Sequence, residues 1–290
     1  MHEGNSMEKQ DHVDTVLITN GNILSMISLG DWIVQFGAHV LKAIFITTRL
    51  PSSKSNVGGL FSMLRRSGYD YTYFKLWTNI FFPLQVKRIG LPSNITELCT
   101  SLGLKIPIIR TGNINDPKMI QAVKEFDPSI LLSFSATQKF CDELIDVPSR
   151  VALNAHYALL PEYGGISPYF WYLKNKESIC GATLHIIKPE LDTGPVIERS
   201  KFAIDDSKSV TAVLLKQMKS ISPMLNHFYE GKTSENHAVP QDLSRRTYYG
   251  HPARREVREF KQSGLAFIHP NDRKELLNLV KGIERQSTDK

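Results

Sequence analysis

Residues 151–155 form a short apolar run that carries one amide, Asn154, and stops against His156. A run of this length bounded by turn residues reads as a buried strand. Side chains two apart on a strand share a face, so Asn154 and His156 point the same way. Beyond them lie two turns dense in Pro and Gly, a short aromatic helical pattern, and an alternating stretch over 180–187. The stretch closes on Leu191-Asp192-Thr193-Gly194-Pro195. An amide, an imidazole and a carboxylate are thereby set at the ends of neighbouring strands, with Asp192 in a loop that folds back towards His156.

The chain before this stretch has the rhythm of a parallel sheet. Residues 13–19 are a β-branched run, Asn20-Gly21-Asn22 a turn, 23–36 a helical pattern and 41–48 a second buried strand. Strand, turn, helix and strand in that order open an α/β sheet. Helical patterns follow over 95–102, 117–126 and 141–145, with a short strand at 106–110 and a central one at 129–134. Ser135-Ala136-Thr137-Gln138 comes at the C-terminal end of that central strand, where open α/β sheets place ligands. The turn at Asn20 to Asn22 occupies the equivalent place after the first strand. It lacks the GxGxxG pattern of dinucleotide folds, and it reads equally well as a simple strand-to-helix turn. Later, 196–204 reads as a strand paired with 182–187, the connection between them presenting Asp192. Residues 209–229 form a long amphipathic helix with Ser209 as its cap.

The fold class is therefore α/β: a mostly parallel sheet flanked by helices, with a small C-terminal extension. The expected organisation is a flexible tail over 1–12, a catalytic domain over 13–229 and a partly helical extension over 230–290. That extension begins polar, turns basic and aromatic at Arg245 to Tyr249, and carries helical patterns at 253–263 and 272–284.

Composition excludes several classes. Of 290 residues, 41% are apolar and 22% charged, as in ordinary globular proteins. No continuous apolar run is long enough to cross a bilayer, and the first residues do not read as a signal peptide. Cys99, Cys141 and Cys180 have neither disulfide nor metal-ligand spacing, so reduced thiols in a cytoplasmic protein and no metal are expected. The net charge of +6 suits an anionic substrate or partner. Residues 60–91 mix rings (Tyr69, Tyr71, Tyr73, Phe74, Trp77, Phe81, Phe82) with Arg65, Arg66, Lys75, Lys87 and Arg88. The spacing 73, 74, 77, 81 marks a helix face that packs on a core or on a second subunit of a homodimer; base stacking is the other use of such a mixture.

The order of motifs resembles the folate-dependent formyltransferase family, which includes glycinamide ribonucleotide, methionyl-tRNA and sugar-amine formyltransferases. Its elements stand here as Asn154-Ala155-His156, then Leu159-Leu160-Pro161 with Gly164-Gly165. Gly181-Ala182-Thr183-Leu184-His185 and Asp192-Thr193-Gly194-Pro195-Val196-Ile197 complete the set. The resemblance implies formyl transfer from 10-formyltetrahydrofolate to a primary amine of a small or nucleotide-linked acceptor, an amino sugar or an amino-acid-derived compound. Asn154, His156 and Asp192 are the implied catalytic residues. Ser135, Ala136, Thr137 and Gln138, with Lys188, Glu190 and Leu191, are implied to line the folate pocket. Asn20, Gly21, Asn22, Tyr163, Gly164 and Gly165 fall on the acceptor side. About sixty helical residues do not make the β-barrel that methionyl-tRNA formyltransferases carry, so tRNA stands behind a small acceptor. A hydrolase passing the formyl group to water, and a folate-binding module without activity, are the remaining alternatives.

Transfer of a formyl group passes through a tetrahedral oxyanion, which needs aimed donors and a base for the proton the amine sheds. Asn154 supplies a donor. His156 donates or relays the proton, and Asp192 holds and charges the imidazole. Taken singly these residues read as a strand-end cap, a surface histidine and a turn former; the joint pattern favours catalysis. His185 is expected to support the site or simply to fill the strand.

Overall fold

The computed structural model describes residues 13–48, 56–204 and 207–288. The expected tail over 1–12 lies outside the described residues, as do residues 49–55. Strand β1, Thr15–Thr19, passes into helix α1, Ile23–Val40, and directly on into β2, Leu41–Thr47. Then come α2 (Asn56–Leu76), a π-helical turn (Trp77–Phe81), α3 (Phe82–Arg88), α4 (Ile95–Ser101), β3 (Ile108–Thr111), α5 (Pro117–Lys124), β4 (Ile130–Phe134) and α6 (Asp142–Ile145). The motif region supplies β5 (Val151–His156), β6 (Gly164–Gly165), α7 (Pro168–Lys174), β7 (Ile179–Ile186) and β8 (Val196–Ala203). Helix α8 (Val210–Tyr229), strand β9 (Tyr248–Tyr249), α9 (Arg254–Gln262) and α10 (Pro270–Thr288) complete the chain.

Seven strands form one sheet in the order β3-β2-β1-β4-β5-β7-β8. The first five are parallel, whereas β7 runs antiparallel to β5 and β8 antiparallel to β7. The mostly parallel α/β architecture read from the sequence is borne out. Strands covered on both faces read as unbroken apolar runs, and their residues divide between two cores. Leu17, Ile44, Leu132 and Leu153 face one apolar cluster with α1, α8 and α10; Val16, Phe45, Leu131 and Ala152 face another with α5 and α6. Asn22, Asn94, Asp116 and Ser209 each cap a helix by accepting a backbone N–H of its first turn. Helix α1 is long and apolar enough to cross a membrane, yet 56% of it is buried in the fold, where it packs on α8 and α10.

Strand order reverses between β1 and β4. Thr19 pairs with Phe134 at their C-terminal ends, so the turn at Asn20 and the turn at Ser135 flank one crevice. Such a switch point is where open α/β sheets bind ligands.

The aromatic segment folds differently from its expected face. Tyr71, Phe74, Trp77 and Phe82 are buried, while Tyr69, Tyr73 and Phe81 are exposed. The π-helical turn at 77–81 adds a residue to the helical repeat, and so Phe82 rather than Phe81 turns inward. Tyr69 stacks on Tyr73, which meets Phe81, and these rings form an outward stripe.

The last sixty residues pack onto the core. Helix α10 buries Leu276, Val280 and Ile283 against α1 and α8. Ser209 Oγ donates to the buried Asp272 carboxylate at 2.6 Å, and α9 lies against α2. Strand β9 pairs in parallel with the motif glycines of β6.

Candidate active site

Ala152, Asn154 and His156 share one face of β5. Ala152 is covered by the second core, and beyond it the face is left to Asn154 and His156, both partly exposed. The antiparallel register sets Asn154 opposite His185 and His156 opposite Thr183. His185 is thereby the cross-strand neighbour of the Asn154 amide, and its Nε2 lies 3.0 Å from Asn154 Nδ2.

The protonation of His185 follows from its surroundings. Nδ1 donates to the Ile186 carbonyl at 2.9 Å, which leaves Nε2 as an acceptor for the Asn154 amide. Burial pushes the imidazole down to about 4, against the pull of Asp192 and with the help of His156. His185 is therefore neutral near pH 7 and fixes the amide of Asn154 with its NH2 towards the ring. One amide hydrogen is used on His185, and the other stays free to donate. The sequence motif pointed at this residue, but its bond to Asn154 depends on strand register.

This burial has a pH consequence. In the unfolded chain the imidazole takes a proton near 6.5, whereas in the fold it resists until about 4. The stabilisation is present above 6.5 and is lost as pH falls towards 4, by up to about 1.4 kcal/mol per pH unit. Urea unfolding measured from pH 7 to pH 5 should show this slope, and His185→Gln should flatten it. An equal slope in both proteins would contradict the assignment.

Asp192 completes the trio from the loop between β7 and β8. Its Oδ1 lies 3.9 Å from His156 Nδ1 and 4.0 Å from His185 Nε2, while Oδ2 accepts the Gly165 N–H at 3.1 Å. Asp192 sits in the left-handed region at φ 60°, a conformation that surrounding structure must hold. Gln241 holds it, donating to the carbonyls of Asp192 and Gly194 at 3.1 and 2.6 Å. His156 Nε2 is buried and has no hydrogen-bond partner among the described residues. Buried polar atoms are ordinarily paired, so an open nitrogen here marks a candidate position for binding or proton transfer.

Two motif glycines have geometric causes. At Gly165 φ is +92° and a Cβ would come 2.3 Å from the Tyr249 carbonyl. At Gly194 a Cβ would sit 1.8 Å from the Ile186 carbonyl. Both positions exclude a side chain, and each lets a loop bring Asp192 to the trio.

The remaining expected site residues are placed as follows. Asn20 Oδ1 accepts from the Asn22 N–H and from Ser25 Oγ, and Asn22 Oδ1 caps α1. Both side-chain oxygens thus close the turn itself, with Gly21 at φ 64° between them. Ser135 is left-handed at φ 52°, and the Thr137 N–H donates to Thr47 Oγ1. Gln138 stitches three loops together through Thr48, Gly112 and Ile114, so what this turn offers a ligand is backbone and Ala136. Lys188, Glu190 and Leu191 are exposed along the Asp192 loop, where Arg246 pairs with Glu190 and donates to the Leu191 carbonyl. Tyr163 is buried, donates to Glu177 and stacks with Tyr172 and Tyr249. It shapes the acceptor loop from behind. Sequence reasoning missed Tyr248, Tyr249 and Gln241, whose contacts with the motif are non-local and carry no local pattern.

An amide donor, an imidazole nitrogen without a hydrogen-bond partner among the described residues and a carboxylate thus meet beside the α/β switch point. Comparison with known proteins gives the class. Residues 92–221 match the family model described as Formyl transferase. The likeness in fold extends over most of the chain. A sugar 3N-formyl transferase, WlaRD, solved with dTDP and 5-N-formyl-THF, is 16% identical over 90% of this chain and 84% of its own, with a TM-score of 0.53. The N-formyltransferase from Helicobacter canadensis, in complex with folinic acid and dTDP-3-aminofucose, is 14% identical over 89% and 84%, with a TM-score of 0.52. Glycinamide ribonucleotide transformylase 1 from Symbiobacterium toebii is 12% identical over 80% and 96%, with a TM-score of 0.51. The family resemblance read from the motifs is borne out by this match, which makes residues 92–221 similar to a formyl transferase domain.

Proposed function

We propose that this protein moves a formyl group from 10-formyltetrahydrofolate to the primary amine of a small or nucleotide-linked acceptor, with an amino sugar as the preferred class. One observation carries the reading: the Asn154 amide is oriented by neutral His185 beside a buried, unpartnered His156 Nε2 and the Asp192 carboxylate. That orphaned nitrogen and the backbone-lined turn at Ser135 fit a folate-borne formyl group entering between them. The folate supplies the formyl carbon. Everything else is done by this chain. Asn154 donates its free amide hydrogen to the formyl oxygen as negative charge develops there. As the amine attacks the formyl carbon, His156 Nε2 takes the proton it sheds and returns it to N10 of the folate as the C–N10 bond breaks and tetrahydrofolate leaves. Asp192 steadies the intervening imidazolium from 3.9 Å. Loops in apo sites tighten on substrate binding, so this spacing suits a resting site.

The amino-sugar preference draws support from the fold neighbours whose structures hold dTDP or a dTDP-amino sugar. Cys99, Cys141 and Cys180 form no disulfide among the described residues, which agrees with a reducing, cytoplasmic setting. The outward stripe of Tyr69, Tyr73 and Phe81 is the face through which a homodimer would form; a monomer mass by light scattering would remove that part of the reading. The function is tested by incubating the protein with 10-formyltetrahydrofolate and a panel of nucleotide-linked amino sugars, amino acids and charged initiator tRNA. Folate release that requires one amine class supports the proposal and names the acceptor. Release without any amine would point instead to a hydrolase.

A further inference from the structure

Lys75 is the one lysine of α2 and points inward, and no carboxylate pairs with it among the described residues. Its Nζ lies 3.0 Å from Tyr169 Oη and 3.2 Å from Ser167 Oγ. The rings of Tyr71, Phe74 and Tyr169 stand around it with centroids 5.3 to 5.6 Å away. The phenols of Tyr169 and Tyr71 hold the ammonium charged above the ordinary lysine value, although burial works against the charge. A cation withdrawn from water without an anion is costly, and one kept in an aromatic cage is held at a fixed point.

The cage adjoins the acceptor side of the site from three directions. Ser167 is two residues beyond Gly165, whose N–H is bound to Asp192, a backbone distance of at most roughly 7 Å. It is held left-handed at φ 56°, which turns its hydroxyl into the cage. Asn79, one helical turn beyond Lys75, accepts from Asn22 of the β1–α1 turn at 3.3 Å. Tyr169 lies close enough to Tyr157 to act on its ionisation, and Tyr157 follows His156 and bonds Ser28 of α1 at 2.5 Å. The Gly165 loop therefore reaches the caged ammonium through Ser167, while the β1–α1 turn and the end of β5 approach it at one remove, through Asn79 and Tyr157.

We infer that Lys75 is a specificity residue: it receives an anionic group, phosphate or carboxylate, borne by the amine acceptor. The inference rests on the reading of this site as an amine formyltransferase. It also accounts for a turn at Asn20 to Asn22 whose side-chain oxygens are spent on their own backbone and on Ser25. The cation that such an acceptor needs is supplied by α2.

The test is Lys75→Met, which keeps the length of the side chain and removes the charge. Tyr71, Ser167 and Tyr169 still bond one another, so the variant should fold with an unchanged or higher Tm, since a buried unpaired charge is gone. Calorimetric titration with inorganic pyrophosphate and, separately, succinate distinguishes phosphate from carboxylate without any turnover. The expected result is that one of the two binds wild type and binds the variant roughly 10- to 100-fold more weakly. For an active acceptor, KM should rise by a similar factor with kcat little changed, and Lys75→Arg should recover part of the loss. Equal affinities in both proteins, or no binding of either anion to wild type, would overturn the inference. Weaker anion binding in a protein that transfers no formyl group would leave Lys75 assigned and sink the functional reading instead.

Discussion

Replacing Asn154 by alanine should lower kcat by about 10²- to 10³-fold, the usual cost of losing one aimed donor to a developing oxyanion. Substrate affinity should change far less, because the donated bond strengthens only as charge builds on the formyl oxygen. The variant also leaves His185 Nε2 without its partner at 3.0 Å. An unsatisfied buried acceptor costs about 1–3 kcal/mol, so a modest fall in stability accompanies the kinetic loss without unfolding the chain. Circular dichroism and urea unfolding separate the two effects. A folded Asn154→Ala protein with near-normal kcat would show that the amide is a strand-end cap and nothing more.

The parts of this protein that are local in sequence were legible, and those set by pairing between distant segments were not. Runs such as Thr15–Thr19 and Ile130–Phe134 are mostly apolar because every position is buried, and that pattern is sufficient to place strands. Spacing by two put Asn154 and His156 on one face before any coordinates. The bond from Asn154 to His185, by contrast, exists because β7 runs antiparallel in a register that sets the two opposite. A shift of one residue would send His185 to the other face. The clamp of β9 on Gly164 and Gly165 is a two-residue pairing across more than eighty positions, with no local signal. The aromatic face of α2 and α3 was misplaced because the π-helical turn at Trp77–Phe81 breaks the regular repeat. Lys75 is likewise hidden, because in sequence it is one basic residue among five and its partners Ser167 and Tyr169 are about ninety positions away.

The largest loss should follow from disabling the proton path. Asp192→Asn keeps an oxygen that accepts the Gly165 N–H, now 3.1 Å away, and preserves the volume of the side chain, but removes the negative charge 3.9 Å from His156 Nδ1. General acid–base assistance is worth about 10²- to 10⁴-fold, and Asp192→Asn should forfeit much of that, as should His156→Ala. If the two residues act as one device, the double variant will be little slower than the worse single variant, since the second change removes a group that has already lost its role. Rates falling by the product of the two single losses would instead mean that Asp192 acts separately, chiefly by pinning the loop of Gly164 and Gly165. Charge and loop placement are separable in a further comparison. Gln241→Ala removes the donor to the Asp192 and Gly194 carbonyls while leaving the carboxylate. A loss of rate there with the pH profile unchanged identifies positioning, whereas the charge-removing variant should alter the profile itself.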